Sequence, residues 1–558
     1  MLMAPPPARR VAVRRERAPL RLRAVVTQVV TKRLGALPVV AEFLHRLQVA
    51  ETVDGLCPAR DLALATHGEV IEALVANRLT SPRPLVRVED WAWCWAVKEV
   101  FDLDPELLND DRLGRALDAI APHLQEITGS IAARAICEFG IDTAALHWEM
   151  TSMSLTGAYD PDEQDPEYPQ VAYGHPKDRR VDLKQIQAGL GVAADGAVPL
   201  LAKAISGGTG EITQVVAAIR QFQRTAAVKR FLMIGDSKLI SYDNLTALAA
   251  AGVEFIAPLP ASATAPAVFA TLAPATAHPV EYVPVRVADR PTLQRPDYRV
   301  LEDTHTLTGR RKSDPPLTVR RILVYSADNA TAQAKARDKR LAKARAQLEN
   351  LARLAGSRYY PTREKIAAKI GVIAKARRVT DVLRTEITDG PDQKPTLAWH
   401  FDQDMLATQA KADGWYALVT NQDPAAGDAA AVFLAYKGQP QVERRYHELK
   451  GPLAVAPVFL HDNKRITALL HVLMLALLVY SLIERQVRRA LEHEGSPDGK
   501  MTGLYPDNRR ERPTARMVFY HLGELDLATG PGSDPPQVVH LTRGVQLHLL
   551  DLLGIDLP

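Results

Sequence analysis

The chain has few residues of the kinds that mark metal-finger and nucleotide-binding proteins. Its 558 residues include three cysteines, an odd number, and Cys57, Cys94 and Cys137 lack the spacing of a zinc site. We therefore expect three reduced, buried thiols of a cytoplasmic protein. The glycine-rich segment 207–210 lacks the lysine of a Walker loop, so no nucleotide cofactor is expected.

Net charge is also small. The 69 basic residues exceed the 65 acidic ones by +4, which excludes a polycation that binds nucleic acid with its whole surface. Seven arginines nevertheless crowd into residues 9–23 against the single acid Glu16. This composition predicts a disordered basic arm over residues 1–24 that contacts nucleic acid, with a solubilising tail as the alternative. No apolar core follows the arginines, so a signal peptide is not expected.

A single uncharged run approaches the length of a membrane span. Ile466 to Ile483 is eighteen residues long, carries no formal charge and is flanked by Arg465 and Glu484. Because no second such run exists, the pattern favours a buried helix of a catalytic core over a membrane helix. No membrane partner is therefore expected.

The most informative segment lies between Tyr436 and Lys450. Pro440 suits a first helical position and Gly451-Pro452 is a stop signal, so a helix is predicted over Pro440–Lys450. The residues at helical spacing that would form its buried stripe are Val442, Tyr446 and Leu449. Glu443 and Lys450 are seven residues apart and share another face, which would present one carboxylate and one ammonium.

Two further acids lie on predicted strands. Ala145 to Thr151 alternates in character, and Glu149 lies on the face that also carries His147 and Thr151. Arg230 to Asp236 reads as a short buried strand that ends in a carboxylate, where α/β folds place chemistry. The alternatives are an edge-strand Glu149 that faces water and an Asp236 that only caps a helix.

Other segments supply the rest of a mixed sheet. A hairpin is predicted over residues 183–205, because Asp195-Gly196 is a favoured turn pair between two apolar runs. A helix is predicted over Ile212–Phe222, and strands over Val253–Leu259 and Gly414–Asn421. The acids thus fall on a strand, a later strand end and a late helix.

The spacing Tyr436-(2)-Gln439-(3)-Glu443-(6)-Lys450 resembles the Tyr-(2)-Arg-(3)-Glu-(6)-Lys signature of one branch of DDE-type bacterial insertion-sequence transposases. Three of the four positions match, and Gln439 replaces the arginine. His147-Trp148-Glu149-Met150-Thr151-Ser152 resembles that family's His-Trp-Asp-x-Thr-Ser, with Glu149 in place of the aspartate. The resemblance extends over about residues 30–555. It implies an α/β fold: an RNase H-like mixed-sheet core, a helical N-terminal domain and a large insertion before the last catalytic helix.

The resemblance also implies the chemistry. Glu149, Asp236 and Glu443 would be the catalytic metal ligands for two Mg²⁺ ions about 4 Å apart, with Mn²⁺ expected to substitute. Cleavage at transposon ends would be followed by strand transfer into target DNA. The predicted DNA-binding residues are Tyr436, Gln439, Lys450, Lys238, Lys177, Arg179 and Arg180. Asp142 is an alternative first ligand, but on a continuous strand it faces the side opposite to Glu149.

The expected partners are double-stranded DNA, both terminal inverted repeats and target, and a second copy of the chain in a dimeric synaptic complex. The expected location is the bacterial cytoplasm, associated with the nucleoid. Two alternatives stay open: a decayed or repurposed copy that binds DNA without cutting, and an RNase H-like nuclease that does not join strands. The predicted regions are the arm 1–24, a helical DNA-end-binding domain 25–135, core segments 136–261 and 396–490, a β-rich and helical insertion 262–395, and a helical C-terminal region 491–558.

Overall fold

The computed structural model describes most of the chain. The described residues are 30–260, 263–264, 266–284, 296–390, 392–451, 453, 460–529, 536–541 and 544–557. The predicted basic arm 1–24 lies outside them, so its role in nucleic-acid contact stays a prediction.

Helices and strands are numbered here in chain order within the described residues. The strands are β1 Val30–Arg33, β2 Ala145–Leu155, β3 Lys184–Ala193, β4 Pro199–Ser206, β5 Leu232–Ile234, β6 Glu254–Pro258, β7 His278–Val280, β8 Tyr298–Leu307, β9 Leu317–Ser326, β10 Leu383–Asp389, β11 Pro395–Phe401, β12 Trp415–Thr420, β13 Asp526–Thr529 and β14 Gln537–Val539. The helices are α1 Leu37–Arg46, α2 Val49–Leu56, α3 His67–Thr80, α4 Val88–Cys94, α5 Val97–Phe101, α6 Asp110–Ile120, α7 Leu124–Phe139, α8 Val215–Thr225, α9 Tyr242–Ala250, α10 Pro266–Ala270, α11 Ala327–Leu354, α12 Arg363–Arg377, α13 Gln403–Ala412, α14 Ala429–Tyr436, α15 Pro440–Lys450, α16 Asn463–His493, α17 Ala515–Leu522 and α18 Gly544–Leu553.

One large mixed sheet organises the molecule. Within the described residues its nine strands follow the order β4-β3-β2-β5-β6-β12-β9-β8-β7. Strand β5 runs parallel to both β2 and β6, and the remaining neighbours are antiparallel. Strand β2 is buried along most of both faces, as a central strand should be. The fold is therefore mixed α/β, with the sheet carrying the main core.

Local sequence explains the strands around β2. The predicted hairpin is confirmed as β3 and β4, and its turn contains Gly196 at φ +76° and Ala197 at φ +53°, the left-handed region that a turn glycine readily adopts. The strands predicted at Asp236, at Val253–Leu259 and at Gly414–Asn421 are present as β5, β6 and β12. The helix predicted from Ile212 starts later, at Val215, because a 3₁₀ turn occupies residues 211–214.

The helical predictions also hold. Helices α1, α3 and α6 lie in the predicted helical region before β2. The apolar run is the centre of α16, a 31-residue helix that passes a membrane test by length and composition, yet its most apolar window is entirely buried within the fold. It packs among α3, α6, α7 and β4, which confirms the prediction of a core helix.

Three expectations differ from the structure. Cys57 is buried, but Cys94 at the end of α4 and Cys137 on α7 are exposed, because they lie on helix faces that point away from the core. The C-terminal region is not wholly helical: β13 pairs with β1 from the other end of the chain, and β14 pairs with β13. In the predicted insertion, β7, β8 and β9 extend the main sheet, whereas α11, α12, β10 and β11 enclose a small core of their own.

Candidate active site

Strand register brings two of the predicted acids side by side. In the parallel pair β2–β5, His147 lies opposite Ile234. Glu149 and Asp236 each follow two residues later, Glu149 within β2 and Asp236 just past the end of β5, so both acids lie near the same edge of the sheet. Asp236 also caps the 3₁₀ turn Ser237–Leu239 by accepting a hydrogen bond from the backbone N–H of Lys238 at 3.0 Å. The capping interpretation is thus correct, and it is compatible with a second role.

Helix α15 lies along β2 in the same direction. At its start, Gln439 bonds His147, and at its end the Lys450 ammonium donates to Thr151 Oγ1 at 2.8 Å and to the Ser152 carbonyl at 2.7 Å. Between these ends, Tyr446 donates to the Glu149 carbonyl at 2.6 Å. Eleven helical residues rise about 16 Å, which equals the length of about five strand residues. The helix and the strand therefore stay in step.

This alignment sets the third acid beside the other two. Glu443 follows Gln439 by four residues, about 6 Å of helix, and Glu149 follows His147 by two residues, about 6.6 Å of strand. Burial raises the pKa of Glu149, and the nearby charges of Glu443 and Asp236 raise it further, against the opposing effect of Lys177. Like charges have this effect only at short range. The three acids that the sequence singled out therefore lie near one another, but among the described residues they do not form a group that could hold a metal ion.

Tyr436 faces the same group. It is half-buried at the end of α14, where burial raises its pKa and the charges of Glu443 and Asp236 add to that shift. The predicted buried stripe of α15 is confirmed, since Val442, Tyr446 and Leu449 are all buried. Glu443 is left on the exposed side of the helix. One helix thus contributes packing on one face and a carboxylate on another.

Glu149 has a partner on only one of its oxygens. Its Oε1 accepts a hydrogen bond from the Lys177 ammonium at 2.7 Å, while its Oε2 is buried and has no hydrogen-bond partner. Only 14 % of the Glu149 side chain is exposed, against 37 % of that of Lys177. An unpartnered buried carboxylate oxygen is costly, so this position can accept a cation or a proton donor.

The predicted basic segment after β2 is anchored to that strand. The Lys177 N–H donates to Ser152 Oγ at 2.9 Å, and Ser154 Oγ donates to Asp178 at 2.7 Å. Arg180 is paired with Asp182 at 2.7 Å. The remaining predicted cations of this surface are exposed: Arg179, and Lys238 on the turn after Asp236.

Gln439 lies in the interior. It is 7 % exposed; its Oε1 faces His147 Nδ1 at 3.1 Å, and its Nε2 donates to the Trp148 carbonyl at 3.4 Å. A Cβ on the adjacent Gly438 would approach the His147 ring to 2.8 Å, so this junction needs glycine. Gln439 therefore holds the start of α15 on β2, and the predicted DNA contact would require both hydrogen bonds to open.

The alternative first ligand lies elsewhere. Asp142 precedes β2, and its carboxylate accepts from the backbone N–H of Ala144 at 2.8 Å. Its own N–H donates to Asp195, beside the β3–β4 turn. Asp142 lies seven residues before Glu149 and three before the start of β2, about 23 Å away if that stretch is extended. The structure groups Glu149, and not Asp142, with Asp236 and Glu443.

Sequence reasoning missed several residues that build this site. Thr151 and Ser152 receive Lys450, and Arg445 fixes α15 from its buried side. Strand alternation could have identified Thr151, which shares the face of Glu149. Helical spacing could have identified Arg445, which follows Val442 by three residues and so lies on the buried stripe, whereas its neighbour Arg444 does not.

The candidate ligands for a divalent cation are the carboxylates of Glu149, Asp236 and Glu443. Among the residues described, no three His, Cys, Asp or Glu side chains are closed around a common point that could hold a metal ion. The chemistry of the set still fits: three carboxylates, one of which has an unpartnered buried oxygen, are oxygen ligands of the kind that Mg²⁺ prefers.

Comparisons with known proteins cover part of the chain. Residues 29–132 match a family model described as a domain of unknown function, DUF4277. No curated protein matches the sequence. Among solved structures, the piggyBac transposase in a synaptic complex with hairpin DNA is 8 % identical, with a TM-score of 0.35 over 89 % of this chain and 82 % of that one. The Mos1 transposase in a paired-end complex with the left transposon end is 12 % identical, with a TM-score of 0.15 over 37 % of this chain and 62 % of that one. Scores this low carry no argument about function.

Proposed function

We propose that this chain is a DNA transposase that cleaves at transposon ends and transfers the freed strand into target DNA. One observation carries the proposal: Glu149 on β2 and Asp236 just after the neighbouring parallel strand β5 lie beside α15, the helix that carries Glu443 and is bonded along β2 at both of its ends. The proposed fold of this core is RNase H-like. Strand β2, its antiparallel hairpin β3–β4 and the parallel strands β5 and β6 support that assignment.

Each residue has a role that follows from its place. Glu149, Asp236 and Glu443 would hold Mg²⁺, or Mn²⁺ in its stead. When bound, two such ions supply an activated water and neutralise the leaving oxygen. Tyr436 borders the carboxylates and can donate its hydroxyl to a phosphate oxygen. Gln439 positions α15 and needs no contact with DNA.

The cations around the carboxylates would bind the DNA backbone. Lys177 and Lys450 lie beside Glu149 on β2, Arg179 and Arg180 follow Lys177 in the same segment, and Lys238 lies on the turn after Asp236. Phosphate contacts of this kind supply affinity without sequence information. The expected partners are therefore duplex DNA, at the terminal repeats and the target, and a second copy of the chain for synapsis of two ends.

A binding protein without cutting activity is the second candidate, and one observation favours it. Glu149 replaces the aspartate of the resembling motif, and its Oε1 is paired with Lys177. A carboxylate on a side chain that is longer by one C–C bond reaches about 1.5 Å further, and a misplacement of about 1 Å can cost about a hundredfold in rate. The same cleavage assay separates the two candidates.

The test is Mg²⁺-dependent cleavage and joining of DNA that carries the sequences flanking the gene. Asp236→Asn keeps the cap on the Lys238 N–H, because asparagine caps as well as aspartate, but removes the charge. We expect cleavage to fall by at least about a hundredfold, since a misplaced ligand alone can cost that much, while DNA affinity stays nearly unchanged.

Asp243→Asn is the matched control, since Asp243 is an exposed acid on α9 just seven residues away. It should cleave at the wild-type rate. Cleavage by Asp236→Asn at that rate would remove Asp236 from the active site. A wild-type chain that binds the flanking DNA but never cuts it would leave the binding-only candidate.

A further inference from the structure

The pairing of Lys177 with Glu149 is a contact that the proposed reaction does not explain. A catalytic carboxylate would be expected to face its metal site, yet Oε1 of Glu149 accepts a hydrogen bond from an ammonium at 2.7 Å. Lys177 is also the largest influence that lowers the pKa of Glu149, against burial, Glu443 and Asp236. Lys177 therefore partly neutralises an acid that lies in a group of like charges.

The segment that carries Lys177 is anchored to strand β2. The Lys177 N–H is bonded to Ser152 Oγ, and the next residue, Asp178, is bonded to Ser154. Both serines lie on β2, just beyond Glu149. This segment is thus held on β2 at two points, once through the Lys177 backbone and once through the Asp178 carboxylate, while the Lys177 side chain is 37 % exposed. The ammonium can move to solvent or to a ligand without any rearrangement of the loop.

The neighbouring lysine cannot take over this role in the observed geometry. The Lys450 ammonium is bound to Thr151 Oγ1 and to the Ser152 carbonyl. Burial lowers the pKa of Lys450, and the positive charge of Lys177 lowers it further. Two ammonium groups therefore repel each other beside Glu149, and moving Lys177 outward relieves that repulsion. A phosphate near both would be attracted by both.

We propose that Lys177 is a built-in counter-ion of Glu149 that a divalent cation displaces, and that the released ammonium then binds a DNA phosphate. This rests on the proposed function, because it takes Glu149 to be a metal ligand. The consequence is reciprocal coupling: the cation frees Lys177 for DNA, and DNA draws Lys177 away from the cation site. Each ligand then raises the affinity for the other by the same factor.

The experiment titrates Mn²⁺ alone into the full chain without DNA and counts free Mn²⁺ by electron paramagnetic resonance. Lys177→Met removes the competing ammonium but keeps the aliphatic stem. We expect Mn²⁺ affinity to rise on the order of tenfold, within the usual range of coupling between two ligands. The titrations are made at a pH above which affinity no longer changes, so that protonation of Glu149 does not compete.

Lys184→Met is the matched control for the loss of one lysine charge, since the Lys184 ammonium donates to the carbonyls of Ala158 and Tyr159 and not to Glu149. It should leave Mn²⁺ affinity within about twofold, the change left to a distant screened charge. A second titration adds a duplex of random sequence, because phosphate contacts do not depend on sequence. DNA should tighten Mn²⁺ binding by the wild-type chain and have little effect on Lys177→Met.

The outcomes separate this proposal from the proposed function. If the wild-type chain binds Mn²⁺ and Glu149→Gln loses it, but Lys177→Met binds no more tightly than Lys184→Met, the counter-ion proposal is wrong and the metal site stands. If neither the wild-type chain nor Lys177→Met binds Mn²⁺ in a way that depends on Glu149, the counter-ion proposal and the proposed metal site are both wrong.

Discussion

Two groups of acids lie beside β2, and they differ in how they are neutralised. Near the start of the strand, Asp195 pairs with Arg485, and Glu484 pairs with Arg445 at 3.1 Å and Arg488 at 2.9 Å; we call this the ion-pair cluster. Further along, Glu149, Asp236 and Glu443 form what we call the carboxylate cluster. Of these three acids, Glu149 has a direct ion pair, with Lys177.

The pKa values follow this difference. Burial raises the pKa of Asp195, but the hydrogen bonds from Arg485 and from the Asp142 N–H, together with the charges of Arg485 and Arg489, outweigh it, so the net shift is downward. Burial also raises the pKa of Glu149, and there the contact with Lys177 does not reverse the shift. The same physical effects thus leave one acid stabilised as an anion and the other destabilised.

The two clusters beside β2 differ in role: the ion-pair cluster stabilises the fold, and the carboxylate cluster is the candidate active site. The ion-pair cluster also ties α15 to the β3–β4 turn, because Arg445 donates to the carbonyls of Ala197 and Gly196, each at 2.9 Å. It therefore fixes the helix on which Glu443 is carried. Excess negative charge in the carboxylate cluster costs stability, and such costs are typical of functional sites.

The largest expected effect comes from the ion-pair cluster. Glu484→Gln keeps the size of the side chain but leaves two guanidinium groups without their shared counter-ion, and Glu484 is only 2 % exposed. Breaking a buried pair in this way costs about 3–5 kcal/mol of unfolding free energy. The urea midpoint should fall accordingly. An unchanged midpoint would show that the cluster contributes no stability.

A smaller effect is expected on the reaction itself. Glu149→Asp shortens the side chain to the length found in the resembling motif, and we expect cleavage to rise by up to about a hundredfold, the cost of a misplacement of about 1 Å. The rate of Mg²⁺-dependent nicking of flanking-sequence DNA measures it. A clearly slower aspartate variant would show that the rest of the cluster has adapted to glutamate.

The smallest expected effect is a gain in stability from Glu149→Gln, opposite in sign to the loss expected for Glu484→Gln. Because the folded-state pKa of Glu149 is raised above its ordinary value of 4.5, its ionisation destabilises the fold. The contribution of protonated Glu149 to the free energy of unfolding is fully present below that pH and is lost as the pH rises through the folded-state pKa. Glutamine does not titrate, so Glu149→Gln should be more stable at neutral pH by on the order of 1 kcal/mol.

That advantage should vanish in acid. Urea midpoints of the wild-type chain and of Glu149→Gln, measured from below 4.5 up to neutral pH, would converge at the acid end and separate as the pH rises. The lost contact with Lys177 subtracts little, because it is partly exposed. A glutamine variant less stable at neutral pH would mean that the pair with Lys177 outweighs the repulsion.

Much of the site could be predicted because its parts have local signals. Alternation placed Glu149 on a strand face, an apolar run ending in Gly235-Asp236 marked β5, and Pro440 with Gly451 bounded α15 at the residues the structure shows. The burial of Gln439 is a feature that local sequence did not predict. Its position in the Tyr436–Lys450 spacing predicted a DNA contact, but burial against His147 and Trp148 depends on how α15 meets β2.

The sequence by itself determined the elements: the periodicity of α15, the alternation of β2, the turn at Asp195-Gly196 and the uncharged centre of α16. These depend on neighbours within one or two turns of chain, so a local pattern is sufficient. Only the tertiary structure decided which charges are paired. Arg445 meets Glu484 and Lys177 meets Glu149 across 39 and 28 residues of chain, and the environment that shifts a pKa is assembled by packing alone.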